Sequence, residues 1–170
     1  MAAPRDRGRR PCPAHRAPRG LPRGSHTNTT LTNFPIPEAS LAGIAAGAAL
    51  EQVRRWRVGP RSAGWPLIAA GGIVIASALH AARTTDLAEP RRLVTTGPYA
   101  LSRNPMYVGW VLVQLGIGLT TGSGWVLATL PAVGAGLHRD VVREERRLTR
   151  LFGDEYQRYS EKVGRYLPGR

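Results

Sequence analysis

The sequence predicts an all-α integral membrane protein with about four transmembrane helices, the last two forming a tight hairpin, and then a C-terminal amphipathic cytoplasmic helix. Two observations favour this fold class. Long stretches between residues 39 and 137 are apolar and almost free of charge, as helices in lipid must be. After residue 138 the apolar residues recur at the helical period, with charged residues on the opposite face.

Residues 1–35 precede the first apolar stretch and differ from it in composition. They contain seven arginines, six prolines and one acid, without an apolar run. Such a segment cannot bury enough surface to offset the entropy lost on ordering. We therefore expect a disordered basic tail at 1–35 and a membrane domain at 36–170. Arg9-Arg10 resembles an export signal, but no apolar segment follows within reach, and we expect no export.

The net charge of +13 is large, but its distribution argues against nucleic acid as a partner. About half of the surplus lies in the tail, and no basic groove interleaved with aromatic residues is apparent. The single cysteine, Cys12, excludes a disulfide framework, and the four histidines lack the spacing of metal ligands. We expect neither nucleic-acid binding nor a metal site.

The first two helices are predicted between residues 37 and 82. Pro37-Glu38 provides a helix start, because proline suits the first turn and an acid suits the positive end of the helix dipole. Residues 39–53 then form a helix of about 22 Å, rich in small residues and short for a span. Residues 63–82 carry no formal charge and form the strongest predicted span.

Residues 106–137 contain no charge over 32 positions. One helix of that length would measure about 48 Å, well beyond a hydrocarbon core of about 30 Å. Two helices of about fifteen residues each, joined by a turn at residues 121–124, fit this thickness better. Trp110 and Trp125 are expected at the membrane interface.

A hairpin places residues 83–105 and 138–170 on the same side of the membrane. With four spans the tail joins them, so that this side carries twenty arginines and lysines against four on the other. The excess of positive charge predicts that this side is cytoplasmic. The Ala-, Arg- and Gly-rich composition is typical of a GC-rich bacterial genome, so we expect the bacterial inner (plasma) membrane.

The chain from about Arg139 to Val163 is predicted to form one amphipathic helix. Glu145 falls within its apolar stripe, and Glu144 lies at the edge. A carboxylate on a buried face requires a partner. Alternatively, both glutamates pair with arginines at helical spacing, as surface acids commonly do. The stripe consists of Val141, Leu148, Phe152, Tyr156, Tyr159 and Val163.

Two segments carry more polar and turn-forming residues than a scaffold requires. Residues 91–109 lie between two predicted membrane stretches and contain a Gly-Pro-Tyr turn and an Arg-Asn-Pro-Met-Tyr turn. A simple connection between helices needs only about two to eight residues. The second segment begins at Glu144-Glu145 and ends with the RYLP sequence at residues 165–168. We interpret the two segments as the parts of the chain that form the active site.

These segments resemble those of integral-membrane methyltransferases, specifically the isoprenylcysteine carboxyl methyltransferase family and the related phospholipid N-methyltransferases. The resemblance covers residues 63–168. The matching residues are Leu93-Val94-Thr95-Thr96-Gly97-Pro98-Tyr99, Ser102-Arg103-Asn104-Pro105-Met106-Tyr107-Val108-Gly109, Glu144-Glu145, Leu148, Phe152-Gly153-Asp154-Glu155-Tyr156, Tyr159 and Leu167-Pro168.

The resemblance implies S-adenosylmethionine as the cofactor, an active site facing the cytoplasm, and a lipophilic small-molecule or lipid substrate reached from the membrane. The candidates for a catalytic role are Arg139 and Arg103. Glu145 is the alternative to Glu144 as the carboxylate that contacts the cofactor. The implied cofactor contacts are Leu93, Val94, Tyr99, Asn104, Pro105, Met106, Tyr107 and Glu144.

Two departures from the family pattern leave the methyl acceptor open. Carboxyl methyltransferases usually have His-Pro where this chain has Asn104-Pro105, and their eukaryotic members have an arginine at the position of Asp140. Carboxyl O-methylation is still the first reading because of the overall pattern of the motifs, with phospholipid amine N-methylation as the alternative. Two other functions are less favoured: an NADPH-dependent membrane reductase with a related arrangement of helices, and a non-catalytic membrane interaction protein. No strand–glycine-rich loop–helix unit appears, which excludes a soluble Rossmann-type methyltransferase.

Overall fold

The computed structural model describes residues 37–83 and 92–168, so the predicted disordered tail at 1–35 lies outside the described residues. Within them all regular secondary structure is helical, as predicted, apart from one isolated antiparallel bridge between Arg57 and Ser123. Single turns of 3₁₀ helix occupy Arg61–Ala63 and Gly97–Ala100. The α-helices are α1 (Glu38–Val53), α2 (Gly64–Ala82), α3 (Pro105–Thr121), α4 (Gly124–Ala128), α5 (Leu130–Phe152) and α6 (Asp154–Lys162).

Helices α2 and α3 form an antiparallel pair in which glycines bring the two backbones together. Gly64 lies against Gly116, and Gly71 lies against Gly109. A Cβ atom on Gly116 would lie 2.7 Å from the Gly64 carbonyl oxygen, and one on Gly71 would lie 2.6 Å from that of Gly109. A larger residue at any of these positions would push the helices apart. Small residues at helix contacts are typical of packing in lipid.

Helix α1 packs on α4 and α5 through two glycines of its own. A Cβ atom on Gly47 would lie 2.6 Å from the Cα atom of Val126, and one on Gly43 would overlap the side chain of Val133. The opposite side of α1 is apolar but exposed, as Leu41 illustrates. One face of α1 is therefore fitted to its neighbours by small residues, and the other is suited to an apolar surrounding.

The turn predicted at residues 121–124 is confirmed. Helix α3 ends at Gly122, which has a left-handed conformation with φ of 66°. The backbone N–H of Ser123 donates to the carbonyl oxygen of Gly118 at 2.9 Å. The Ser123 hydroxyl then accepts a hydrogen bond from the N–H of Val126 at 3.4 Å and caps α4.

The second arm of the hairpin differs from the prediction. Only Thr129 separates α4 from α5, so the predicted second hairpin helix runs directly into the amphipathic helix that was expected to begin near Arg139. Pro131 has no N–H to bond to the preceding turn, which accounts for the short interruption. The amphipathic helix also does not reach Val163 unbroken, because Gly153, with φ of 49°, separates α5 from α6.

Among the described residues, one helix is long and apolar enough to cross a membrane. It is α2 together with the preceding 3₁₀ turn, Arg61–Ala82, with 22 residues. Helix α3 is apolar but has 17 residues, and α1 has 16. At 1.5 Å per residue these two helices measure about 24–26 Å, less than a hydrocarbon core of about 30 Å. The arrangement with four spans therefore stays a prediction.

The connection between α1 and α2 meets the hairpin turn at the end of the α2–α3 pair where α3 finishes. The N–H of Gly124 donates to the carbonyl oxygen of Trp56 at 2.7 Å, and that of Val58 donates to Gly122 at 3.0 Å. The rings of Trp56 and Trp125 lie edge to face with centroids 5.3 Å apart. These contacts close one end of the helix pair, and the polar segment before α3 lies at the other.

Candidate active site

A cavity of about 210 Å³ lies at the end of the α2–α3 pair where α3 begins. Its walls come from the segment before α3, the first turns of α3, and the facing sides of α5 and α6. The two polar segments singled out in the sequence therefore meet at one place in the fold. The lining residues are Arg92, Leu93, Val94, Tyr99, Arg103, Asn104, Pro105, Met106, Tyr107, Trp110, Glu144, Leu148, Tyr156 and Tyr159.

The Gly-Pro-Tyr turn forms one wall and is held by α6. Gly97 has φ of 61°, a conformation that favours glycine. The hydroxyl of Tyr159 donates a hydrogen bond of 2.6 Å to the carbonyl oxygen of Tyr99. Burial, helped by the nearby Tyr107, raises the pKa of Tyr99 to about 12, and burial also raises the pKa of Tyr159. Both phenols are therefore neutral at physiological pH.

Asn104-Pro105 starts α3 at the adjacent wall, with proline at the first helical position. The Asn104 side chain does not cap the helix. Instead its amide Nδ2 donates to the carbonyl oxygen of Arg165 at 3.3 Å, while its backbone N–H donates to the hydroxyl of Ser102 at 3.2 Å. Asn104 is buried, so this cavity wall is fixed by bonds to the C-terminal segment.

Glu144 brings a carboxylate to the cavity from α5. Its side chain is 38 % exposed, and the nearest guanidinium nitrogen of Arg147 lies 3.9 Å away at a spacing of three residues. That distance is longer than a hydrogen bond. The Glu144 carboxylate is therefore partly hydrated and positioned to accept hydrogen bonds from a ligand.

Glu145, the next residue, lies outside the cavity lining and is held by two arginines. Its carboxylate accepts hydrogen bonds from the Arg165 guanidinium at 2.7, 3.0 and 3.1 Å. It also forms an ion pair of 3.0 Å with Arg103, and its side chain is only 12 % exposed. The buried carboxylate of the predicted stripe thus has partners, and neither of them is at helical spacing.

The family model described as phospholipid methyltransferase matches residues 61–155, more than half of the chain. The match includes both the segment before α3 and Glu144-Glu145. The chain belongs to the phospholipid methyltransferase family. This membership confirms the resemblance that the motifs indicated.

Several curated relatives also match parts of the chain. The cobalt-zinc-cadmium resistance protein CzcN of Cupriavidus metallidurans is 37 % identical over 76 residues, 45 % of this chain and 35 % of that protein. Methanethiol S-methyltransferase 1 of Bradyrhizobium diazoefficiens is 30 % identical over 83 residues, 49 % of this chain and 28 % of that protein. The nickel-cobalt-cadmium resistance protein NccN of Alcaligenes xylosoxydans xylosoxydans is 33 % identical over 76 residues, 45 % of this chain and 36 % of that protein. The alignments cover about a third of each relative's length.

Most of the residues that were predicted for the site lie together in the structure. Glu145 contacts the cavity wall through Arg103 and is not itself part of the lining. Arg139 is exposed on α5 and also lies outside the lining. The predicted residues that line the cavity are Leu93, Val94, Tyr99, Arg103, Asn104, Pro105, Met106, Tyr107 and Glu144. Their role in binding a cofactor stays a prediction.

Other lining residues were not assigned to the site from the sequence. Leu148, Tyr156 and Tyr159 belong to the predicted apolar stripe, whose buried face turns out to form a cavity wall. Trp110, expected at the membrane interface, lies one helical turn after Met106 and lines the cavity beside it. The remaining one, Arg92, is marked in the sequence only by its position next to the motif that begins at Leu93.

Proposed function

We propose that this protein is an S-adenosylmethionine-dependent methyltransferase that acts on a lipophilic acceptor at the membrane. The observation that carries the proposal is the convergence of the two motif segments on one cavity. Membership of the phospholipid methyltransferase family and similarity to a protein named methanethiol S-methyltransferase support the reaction class.

The chemistry of the cavity suits this cofactor. S-adenosylmethionine has a ribose diol and an ammonium group, for which the Glu144 carboxylate is an acceptor. Its sulfonium cation is stabilised by aromatic faces, and Tyr99, Tyr107 and Trp110 line the cavity. The residues present therefore fit the cofactor, and Glu144 with the aromatic side chains would hold it.

When bound, the cofactor supplies an electrophilic methyl group. The task left to the protein is to hold donor and acceptor in line, which can provide a large part of the reduction of the barrier in such displacements. The apolar side chains of Leu93, Met106 and Leu148 line the cavity and would limit the contact of the reacting groups with water. A carboxylate acceptor needs no general base, and the described lining residues contain no His–Asp or Cys–His pair.

An acid is the favoured class of methyl acceptor. Arg92 and Arg103 both line the cavity, and guanidinium groups attract a carboxylate or thiolate while they disfavour an ammonium ion. The isoprenylcysteine carboxyl methyltransferase-like reaction on a lipophilic acid is therefore the leading form of the proposal. Phospholipid amine N-methylation is the second candidate, because Asn104 stands where carboxyl methyltransferases usually have histidine.

We further propose four membrane spans, with the cavity facing the cytoplasm of a bacterium and α2 as the principal span. Helices α1 and α3 are short, so they would thin the bilayer locally, with flanking side chains that reach the interface. The connection between α1 and α2, with its arginines at 54, 55, 57 and 61, then lies on the far side. This places the cavity at the side with more positive charge.

A lipid-extract assay tests the activity and identifies the acceptor. The purified protein is incubated with methyl-labelled S-adenosylmethionine and a bacterial lipid extract, and the labelled product is treated with base. An ester releases its label as methanol, whereas an N-methyl group or a thioether retains it. Absence of both S-adenosylmethionine binding and label transfer from a folded protein would refute the proposal, and NADPH binding in its place would favour a reductase.

A further inference from the structure

Residues 163–168 follow α6 without regular structure and run along the segment that precedes α3. Three consecutive residues of that segment donate hydrogen bonds to them. The N–H of Arg103 donates to the carbonyl oxygen of Gly164 at 3.0 Å. The hydroxyl of Ser102 and the amide of Asn104 donate to the carbonyl oxygen of Arg165 at 3.2 and 3.3 Å. Since Arg103 and Asn104 line the cavity and residues 163–168 do not, these bonds support the wall from its outer side.

The same C-terminal residues are anchored to α5 at two places. The Arg165 guanidinium binds both oxygens of Glu145, and the hydroxyl of Tyr166 lies 2.8 Å from Nδ1 of His138. The two anchor points on α5 are two turns apart, so the segment is fixed in direction as well as in position. Residues 163–168 therefore connect α5 to the cavity wall.

Arg165, Glu145 and Arg103 form an ion cluster that connects Arg165 indirectly to the cavity. A guanidinium group that binds a carboxylate through two nitrogens fixes the orientation of that carboxylate. The Glu145 carboxylate in turn holds Nη1 of Arg103 at 3.0 Å. The Arg103 side chain is 14 % exposed and lines the cavity. The orientation of Arg103 thus depends on Arg165 through Glu145.

We propose that residues 163–168 form a C-terminal strap and that Arg165 is a positioning residue of the active site. The strap holds Arg103 and Asn104 in the cavity wall before a ligand arrives, so that less conformational freedom is lost on binding. The identification of the ligand as S-adenosylmethionine rests on the proposed function. The strap itself is defined by the contacts of Arg165, Glu145 and residues 102–104.

The test uses the purified full chain and the variant Arg165→Gln, with Arg158→Gln as a control on the exposed side of α6. Hydrogen exchange is measured over residues 98–107, and S-adenosylmethionine binding is measured by calorimetry, below the melting temperature of each variant. We expect Arg165→Gln to exchange about tenfold faster in this segment and to bind about tenfold more weakly. Arg158→Gln should match the parent in both. Arg165→Lys, which keeps the charge but not the two-point contact, should recover part of both losses.

Unchanged exchange at residues 98–107 in Arg165→Gln would overturn the strap whether or not the protein transfers methyl groups. Faster exchange with parental binding would overturn the positioning role. If the parent protein binds no S-adenosylmethionine, the proposed function fails, and the exchange result still decides whether the strap exists. Should Arg165→Gln not fold, Tyr166→Phe replaces it, since that change removes the other contact of the strap with α5.

Discussion

Replacement of Glu144 by glutamine tests whether the cavity binds the cofactor, because the change keeps the shape of the side chain and removes its charge. Glu144 lines the cavity, is 38 % exposed and lies 3.9 Å from Arg147. A charge-assisted hydrogen bond contributes about 1.5–3 kcal/mol, and partial exposure places this one at the lower end. At about 1.4 kcal/mol per tenfold, we expect S-adenosylmethionine to bind about ten- to thirtyfold more weakly.

The assay is calorimetric titration of Glu144→Gln, with thermal melts alongside. Glu155→Gln, an exposed glutamate on α6 outside the cavity lining, is the matched control. The melting temperature of Glu144→Gln should hardly change, since an exposed pair such as Glu144–Arg147 contributes at most about 1 kcal/mol. Parental affinity in Glu144→Gln would show that this glutamate is a solvated surface group, and the methyltransferase proposal would lose its main chemical support.

Three further predictions concern the scaffold. Gly71→Ala should lower the free energy of unfolding by about 1–3 kcal/mol, because its Cβ would meet the Gly109 backbone; Gly72→Ala, whose Cβ meets nothing within 4 Å, should be neutral or slightly stabilising in the same chemical melts. Burial raises the pKa of Tyr99 from 10.0 to about 12 in the folded protein. The contribution of the neutral phenol to the free energy of unfolding is therefore complete below pH 10 and is lost as the pH rises toward 12. In melts between pH 10 and pH 12, Tyr99→Phe should lose less stability than the parent protein. In a background without Cys12, a cysteine at Ser62 should react with a membrane-impermeant thiol reagent on intact cells and one at Ser160 should not, and the reverse result would contradict the proposed orientation.

The helices and the hairpin turn were predictable because their signals are local. Charge-free stretches, the Pro37-Glu38 start of α1 and the Gly122-Ser123 pair each act within a few residues of the chain. The break at Gly153 was not predictable in this way, since the apolar period continues across it from Phe152 to Tyr156. A single glycine inside a periodic pattern is compatible with a continuous helix, and only its φ of 49° in the fold reveals the break.

The two adjacent glutamates illustrate how the sequence both guided and limited the prediction of the site. The helical wheel placed Glu145 nearer the centre of the buried stripe, which taken alone favours Glu145 as the functional carboxylate. In the structure the burial of Glu145 has another explanation. Glu145 is buried because Arg165 and Arg103 surround its carboxylate, and a carboxylate so fully engaged has little capacity left for a ligand.

Glu144 remains available because it lies at the edge of the stripe. Successive residues of a helix point about 100° apart. The Glu145 side chain therefore lies in the ion cluster, and the Glu144 side chain lies at the cavity. The partner that decides this division, Arg165, lies 20 residues after Glu145 in a segment without regular structure, where no periodic pattern indicates a contact. The sequence therefore predicted that a buried carboxylate needs a partner, but the identity of that partner depends on how residues 163–168 fold back on the cavity wall.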